Sequence, residues 1–153
     1  MRKYLAFALA WVLATGLAGC AEEVNTTAES DVVTGSAFDA GMEVVEGTVS
    51  PEGATVRVVN NTDVELDSGN AYDFAIEVQK DGTWYSIETE ERSNTTEALV
   101  FLGERELAID WSGIYGALPK GNYRLVKYFF PWSEDGAYGI GDGFYLAAEF
   151  RID

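Results

Sequence analysis

The chain has 153 residues, with 26 acidic and 10 basic side chains, no histidine and one cysteine. This length is typical of one domain with appended segments. Without histidine and with a single cysteine, the chain has no His-based catalytic triad, no Cys–His nucleophile, no His/Cys zinc site and no internal disulfide bond. The net charge of −16 disfavours nucleic acid as a partner, because both molecules are negatively charged.

The amino terminus carries the pattern of an export signal. Arg2 and Lys3 precede an uncharged apolar run over residues 4–19, which ends in small residues before Cys20. As a helix with a rise of about 1.5 Å per residue, this run of roughly 16 residues spans only ~24 Å, less than the ~30 Å hydrocarbon core of a bilayer. We therefore expect residues 1–19 to be a signal peptide and not a membrane-spanning anchor.

The end of this signal contains the chain's only cysteine, in the sequence Leu17-Ala18-Gly19-Cys20. These four residues resemble the lipobox of bacterial lipoproteins, in which the signal peptidase cuts before the cysteine and the thiol receives a diacylglycerol. The resemblance implies that Cys20 is a lipid attachment site and that the protein is extracytoplasmic, anchored to a bacterial membrane. The alternative is an ordinary secretory signal followed by a chance cysteine.

Residues 20–41 are predicted to be the lipidated cysteine and a flexible tether. Their polar composition shows neither the period of two of a strand nor the period of 3.6 of a helix. At about 5–6 Å × √n, some 21 residues would hold the domain about 25 Å from the lipid on average. We therefore expect one folded domain over residues 42–153.

Residues 42–153 alternate short apolar runs with turn residues, which is typical of an antiparallel β domain. Residues 43–49 and 55–60 predict a hairpin around a turn that contains Pro51 and Gly53. Apolar side chains at every second position over residues 72–78 predict a strand, and Asp81-Gly82 predicts a two-residue hairpin turn after it. Further strands are predicted over residues 99–102, 107–111, 123–130 and 144–152.

A structural motif is predicted where one of these strands begins. Pro119 and Gly121 stand just before Tyr123, as in a tyrosine corner, where a sharp crossover is followed by a ring whose hydroxyl bonds to the preceding backbone. We therefore assign Tyr123 a structural role and not a catalytic one.

Five separated blocks resemble a bacterial immunoglobulin-like domain family that is common in surface lipoproteins. They are VVNNT (58–62), DGTWY (81–85), IDW (109–111), YGALPKGNYRLVK (115–127) and YLAAEF (145–150). The resemblance implies an all-β fold, an immunoglobulin-like antiparallel β-sandwich of about seven to eight strands. It implies no catalytic residues and no cofactor, so the expected function is a non-catalytic binding or structural module.

A weaker resemblance concerns the spacing of Asn-Asn-Thr, Asp81-Gly82, Asp110-Trp111 and residues 118–123. This order is similar to the layout of bacterial protease inhibitors of the intracellular subtilisin-inhibitor type. Protease inhibition is therefore an alternative function, and a spacer without a specific ligand is a third.

No enzyme site is predicted. A Ser–Lys dyad would need Lys80, Lys120 or Lys127, and each is interpreted as a turn or solvent-facing strand residue. No metal site is predicted either, because the acidic residues of segment 130–143 lack the spacing of an EF-hand.

The candidate recognition site is the segment 130–143, which joins the last two predicted strands. It mixes aromatic residues with glycine, as binding loops do, and Trp132 and Tyr138 are the expected anchors for a surface protein or glycan. The alternative is that these two rings fold back and cover the open end of the core.

We predict that Cys20→Ala releases the chain from the membrane fraction or leaves it unprocessed, because the thiol that would carry the lipid is gone. Fractionation and the mass of the mature chain measure this. A Cys20→Ala chain that is processed and stays in the membrane fraction, like the native chain, would contradict lipidation.

Overall fold

A computed structural model describes residues 23–35, 38–70, 72–89, 99–138 and 140–153. These residues form strands β1 (Thr26–Glu29), β2 (Ala40–Val44), β3 (Gly53–Asn60), β4 (Glu65–Asp67), β5 (Ala75–Lys80), β6 (Thr83–Ile87), β7 (Val100–Phe101), β8 (Gly103–Asp110), β9 (Gly121–Trp132) and β10 (Phe144–Ile152). One helical turn, α1 (Ser112–Tyr115), lies between β8 and β9, and a 3₁₀ turn, Ile140–Asp142, precedes β10.

The strands form two sheets that pack face to face. The larger sheet has the order β1-β6-β5-β9-β4-β7, with β10 also paired to β9, and the smaller sheet has the order β2-β3-β8. Every pair of named strands is antiparallel, so the predicted all-β sandwich is confirmed. The described residues contain two strands beyond the seven to eight expected: β1 lies in the segment predicted to be a tether, and the three-residue β4 was not predicted.

The predicted hairpins are present. Lys80 pairs with Thr83 across Asp81 and Gly82, whose φ angles of 51° and 82° are both positive, as a type I′ turn requires. Strands β2 and β3 also pair as predicted, although β2 begins at Ala40 and ends at Val44, earlier than the sequence pattern indicated.

The two sheets are joined by a stack of aromatic rings in the core. Trp111, which follows β8 of the smaller sheet, stacks on Phe150 of β10 with ring centroids 5.1 Å apart. Phe150 in turn stacks on Tyr123 of β9 at 5.6 Å. The indole Nε1 of the fully buried Trp111 donates a hydrogen bond to the Pro51 carbonyl oxygen at 2.8 Å, so its one polar atom is satisfied.

The predicted tyrosine corner is also present. The buried Tyr123 hydroxyl donates to the Pro119 carbonyl oxygen at 2.7 Å, and burial raises the pKa of this hydroxyl. A Cβ atom at Gly121 would lie only 3.0 Å from the Tyr123 ring. The motif therefore uses Pro119 as the acceptor and needs glycine at 121, because the ring folds back over that position.

Part of the segment predicted to be a flexible tether, residues 20–41, pairs with the larger sheet in the structure. Strand β1 pairs with β6, with Thr26 opposite Ile87, and the Ser30 amide donates to the Trp84 carbonyl at 2.9 Å. Thr34 then forms a bridge with Tyr145 of β10, and the Gly35 amide donates to the Tyr145 carbonyl at 2.9 Å. Residues 30–35, which we call the strap, thus run from the β6 edge to β10. Backbone hydrogen bonds and the Ser30 hydroxyl hold the strap in place. This kind of attachment requires no periodic pattern of apolar side chains, so the sequence shows none.

Residues 1–19 and Cys20 lie outside the described residues, as does most of the connection between β6 and β7. No helix within the described ranges is long and apolar enough to cross a membrane.

Candidate functional site

Aromatic side chains form a row on the outer face of the larger sheet. From Lys127 to Trp132 the residues of β9 alternate between buried and half-buried, so Tyr128, Phe130 and Trp132 point away from the core that Leu125 and Phe129 occupy. Tyr145 of β10 lies directly opposite Tyr128 in the register of the two strands and shares this face. We call Tyr128, Phe130, Trp132 and Tyr145 the outer aromatic surface.

The rings of this surface contact one another and leave part of their area open. Tyr128 and Tyr145 have ring centroids 4.9 Å apart, and Tyr128 and Phe130 have centroids 6.4 Å apart. Tyr145 is 40% exposed. Half-exposed aromatic residues placed side by side on a rigid sheet are typical of recognition surfaces, because they offer large contact areas at a small cost in conformational entropy.

The two anchors expected from the sequence occupy different parts of the structure. Trp132 is the last residue of β9, paired opposite Glu65 of β4, and belongs to the outer aromatic surface. Tyr138 lies in the connection between β9 and β10 and is 40% exposed. The structure therefore places Trp132 in β9 and not in the loop, since β9 extends two residues beyond the predicted strand end.

Tyr138 packs against aromatic residues that lead into the core. Its ring meets Phe38 edge to face at 6.2 Å, and Phe38 stacks on Phe144 at 5.7 Å. Phe144 in turn stacks on the fully buried Phe129. For Tyr138 this geometry favours the alternative stated from the sequence, in which the ring folds back over the end of the core.

A buried ion pair holds the strap against the outer face. Glu77 of β5 and Arg124 of β9 are paired in register, and the Arg124 Nε donates to Glu77 Oε2. The Ser30 hydroxyl donates to the other carboxylate oxygen, Oε1. The Arg124 guanidinium also lies 4.8 Å from the centroid of the Trp84 ring. The Glu77–Arg124 ion pair is therefore the point where the strap, β5, β6 and β9 meet, and both charges have their partners inside the protein.

Lys127 makes a second buried polar contact, with the connection between β4 and β5. Its Nζ donates to the carbonyl oxygens of Asn70 and Asp73 at 2.8 and 2.9 Å. Burial lowers its pKa to about 8, against the opposing effect of the Asp73 and Asp67 carboxylates. At neutral pH an ammonium group therefore lies inside the protein and holds the backbone carbonyls of Asn70 and Asp73.

The expectation that Lys127 faces solvent is wrong. In β9 it falls on the core-facing side, between Leu125 and Phe129, and it is 1% exposed. The physical reason is a gap in strand pairing along β9. Strand β4 pairs with β9 at Phe130 and β5 pairs with it at Val126, so the connection between β4 and β5 leaves the sheet beside Lys127 and brings its carbonyl groups there. The sequence predicted this strand from an apolar run; counting every second position from Tyr123 would have placed Lys127 on the core-facing side and Tyr128 and Phe130 beside Trp132.

The outer face of the smaller sheet is different in character. Arg57 of β3 lies within 3.3 Å of the carboxylates of Glu43, Glu104 and Glu106 on the two neighbouring strands. The hydrogen bond to Glu106 and the charge of Glu104 raise the pKa of Arg57. This solvated ladder of ion pairs offers no apolar contact area, which favours the outer aromatic surface as the candidate site.

Comparison with known proteins gives one match. Residues 36–151 match a family described as bacterial Ig-like domain. No curated protein and no solved structure matches the chain. The match begins before β2 and ends within β10, so it covers most of both sheets.

We predict that Lys127 makes stability rise with pH between about 8 and 10.5. In this range the unfolded lysine still binds its proton while the folded one has lost it, so the free energy of unfolding increases with pH. Between these two pH values, the free energy of unfolding of the native chain should rise by about 3 kcal/mol relative to that of Lys127→Met, at ~1.36 kcal/mol per pKa unit.

Urea unfolding of both chains at several pH values measures this gain, and the exposed Lys120→Met is the control. The contribution of Tyr123, which has the opposite sign, is common to all chains and cancels in the difference. A difference between native chain and Lys127→Met that does not change with pH would contradict a buried ammonium. If Lys127→Met does not fold, the NMR titration of Nζ in the native chain gives the same answer.

Proposed function

Because the chain belongs to the bacterial Ig-like domain family, we propose that it is a non-catalytic binding module, held at the extracytoplasmic side of a bacterial membrane by a lipid on Cys20. The observation that carries this proposal is the outer aromatic surface. A bacterial Ig-like domain is a binding or structural module, and exposed aromatic area on a sheet face is the feature that favours binding.

The sequence before Cys20 supports the proposed anchor: two basic residues are followed by an apolar run, which ends in small residues directly before the cysteine. The structure changes the expected geometry of such an anchor, because β1 begins at Thr26. Six residues of extended chain reach at most ~22 Å at about 3.6 Å each. The anchored domain would therefore stay close to the membrane, and partners on the same surface would be within its reach.

The proposed contact surface is centred on Trp132, with Phe130 and Tyr128 along the same strand. The ring of Trp132 is half-buried at the end of β9, opposite Glu65. A partly exposed tryptophan on a rigid strand has the properties of a binding hot spot, since it contributes a large area and loses little side-chain freedom on binding. The partner class is a surface protein or glycan.

We predict that Trp132→Ser weakens capture of the partner by roughly 30-fold or more, as expected for a hot spot of about 2 kcal/mol. The measurement is capture from a surface extract of the same organism, with the native chain, Trp132→Ser and Tyr138→Ser in parallel. The matched control is Tyr72→Ser, because Tyr72 is 48% exposed and lies outside the outer aromatic surface.

The outcomes separate the candidate functions. A partner lost only with Trp132→Ser supports the proposal, whereas one lost only with Tyr138→Ser moves the site to the β9–β10 connection. Capture unchanged by Trp132→Ser contradicts the proposed surface, and no capture by the native chain favours a spacer. A captured protease whose activity falls stoichiometrically on titration with the native chain would establish the alternative, an inhibitor.

A further inference from the structure

A cleft of about 190 Å³ lies at the end of the outer aromatic surface where the strap crosses the sheet. The residues that line it include Val32 of the strap, Tyr128 and Tyr145, and the acidic residues Asp73 and Glu77. The strap is therefore one wall of the cleft. A cleft of this volume suits the end of a side chain or a small polyatomic ion.

Two tyrosine rings form one side of this cleft. Tyr128 and Tyr145 are inclined by 59° to each other, with centroids 4.9 Å apart. The face of an aromatic ring carries partial negative charge and attracts a cation placed within about 6 Å of the ring centre. Aromatic residues that line a cleft therefore suit organic ammonium groups, which have both apolar carbon and positive charge.

The charges near the cleft also favour a cation. The two basic groups of this region already have partners among the residues of the cleft and its border: Arg124 pairs with Glu77, and Lys127 donates to the carbonyl oxygens of Asn70 and Asp73. Asp73 is an exposed residue that lines the cleft, and the charge of its carboxylate also acts on Lys127. The chain as a whole carries a charge of −16, so its field attracts positive ligands and repels anions.

We propose that this cleft binds an alkylammonium group. The proposal rests on the proposed function, in which the outer aromatic surface contacts a partner, and it specifies the chemistry at one end of that contact. The group is either the end of a lysine side chain of a partner protein or a small quaternary ammonium compound. Apolar contacts with Val32 hold the carbon atoms, the two rings and Asp73 stabilise the charge, and no covalent step is involved.

The test is an NMR titration of the full-length chain with three probes. Choline represents a quaternary ammonium, Nα-acetyl-lysine methylamide represents a lysine side chain, and 3,3-dimethylbutan-1-ol is the neutral isostere of choline. We expect saturable shifts of the Tyr128 and Tyr145 amide signals with at least one cation, and roughly tenfold weaker binding of the neutral isostere, as expected from cation–π attraction.

The preferred cation identifies the source of the ligand. Binding of the lysine probe alone indicates a partner protein, and binding of choline alone indicates a small quaternary ammonium. Equal binding of choline and its neutral isostere would overturn the inference, because the cleft would then recognise only apolar shape. The absence of saturable shifts with either cation would also overturn it.

Variants locate the site. Tyr145→Leu should weaken binding of the cation roughly tenfold, and Tyr72→Leu, an equally exposed tyrosine outside the cleft, should leave it unchanged. Asp73→Asn should also weaken it, measured at pH 6.5, where Lys127 remains protonated in the native chain. Unchanged binding in both cleft variants would exclude this cleft. If neither cation binds at the cleft but capture of the partner still depends on Trp132, only this inference is contradicted. If capture of the partner survives Trp132→Ser, the proposed function is contradicted.

Discussion

The buried pair of Glu77 and Arg124 sets the conditions for the whole outer face of the larger sheet. Two opposite charges removed from water stabilise a protein only when their remaining hydrogen-bonding capacity is also satisfied. Here Ser30 donates to the free oxygen of Glu77, and the ring of Trp84 lies against the guanidinium of Arg124. The pair is therefore complete only while the strap lies across the sheet.

The position of the strap in turn defines the candidate site. From Ser30 the strap continues to Tyr145, where Thr34 and Gly35 pair with β10. The strap covers the part of the sheet that contains the ion pair, and the aromatic row from Tyr128 to Trp132 begins beside the strap. Val32 of the strap lines the cleft between them. The strap, which lies within the segment predicted to be a tether, is thus also part of the proposed binding surface.

Local chemistry made much of the fold predictable from the sequence, and long-range contacts account for what was not. The Asp81-Gly82 turn and the Tyr123 corner depend on residues a few positions apart, so their sequence signals were sufficient. The strap was missed because partners far along the chain, Trp84 and Tyr145, hold it and leave no apolar period. Lys127 was missed for a similar reason, since its carbonyl partners come from the connection between two other strands.

Hydrogen exchange of the strap amides in the full-length chain tests the account most directly, because the cleft and the border of the outer aromatic surface both require an ordered strap. The amides of Ser30 and Gly35 donate to Trp84 and Tyr145 within the sheet. The account predicts that both exchange slowly, at rates comparable with the amides of the β5–β6 hairpin. Exchange of both at the rate of an unstructured peptide would contradict it and restore the flexible tether.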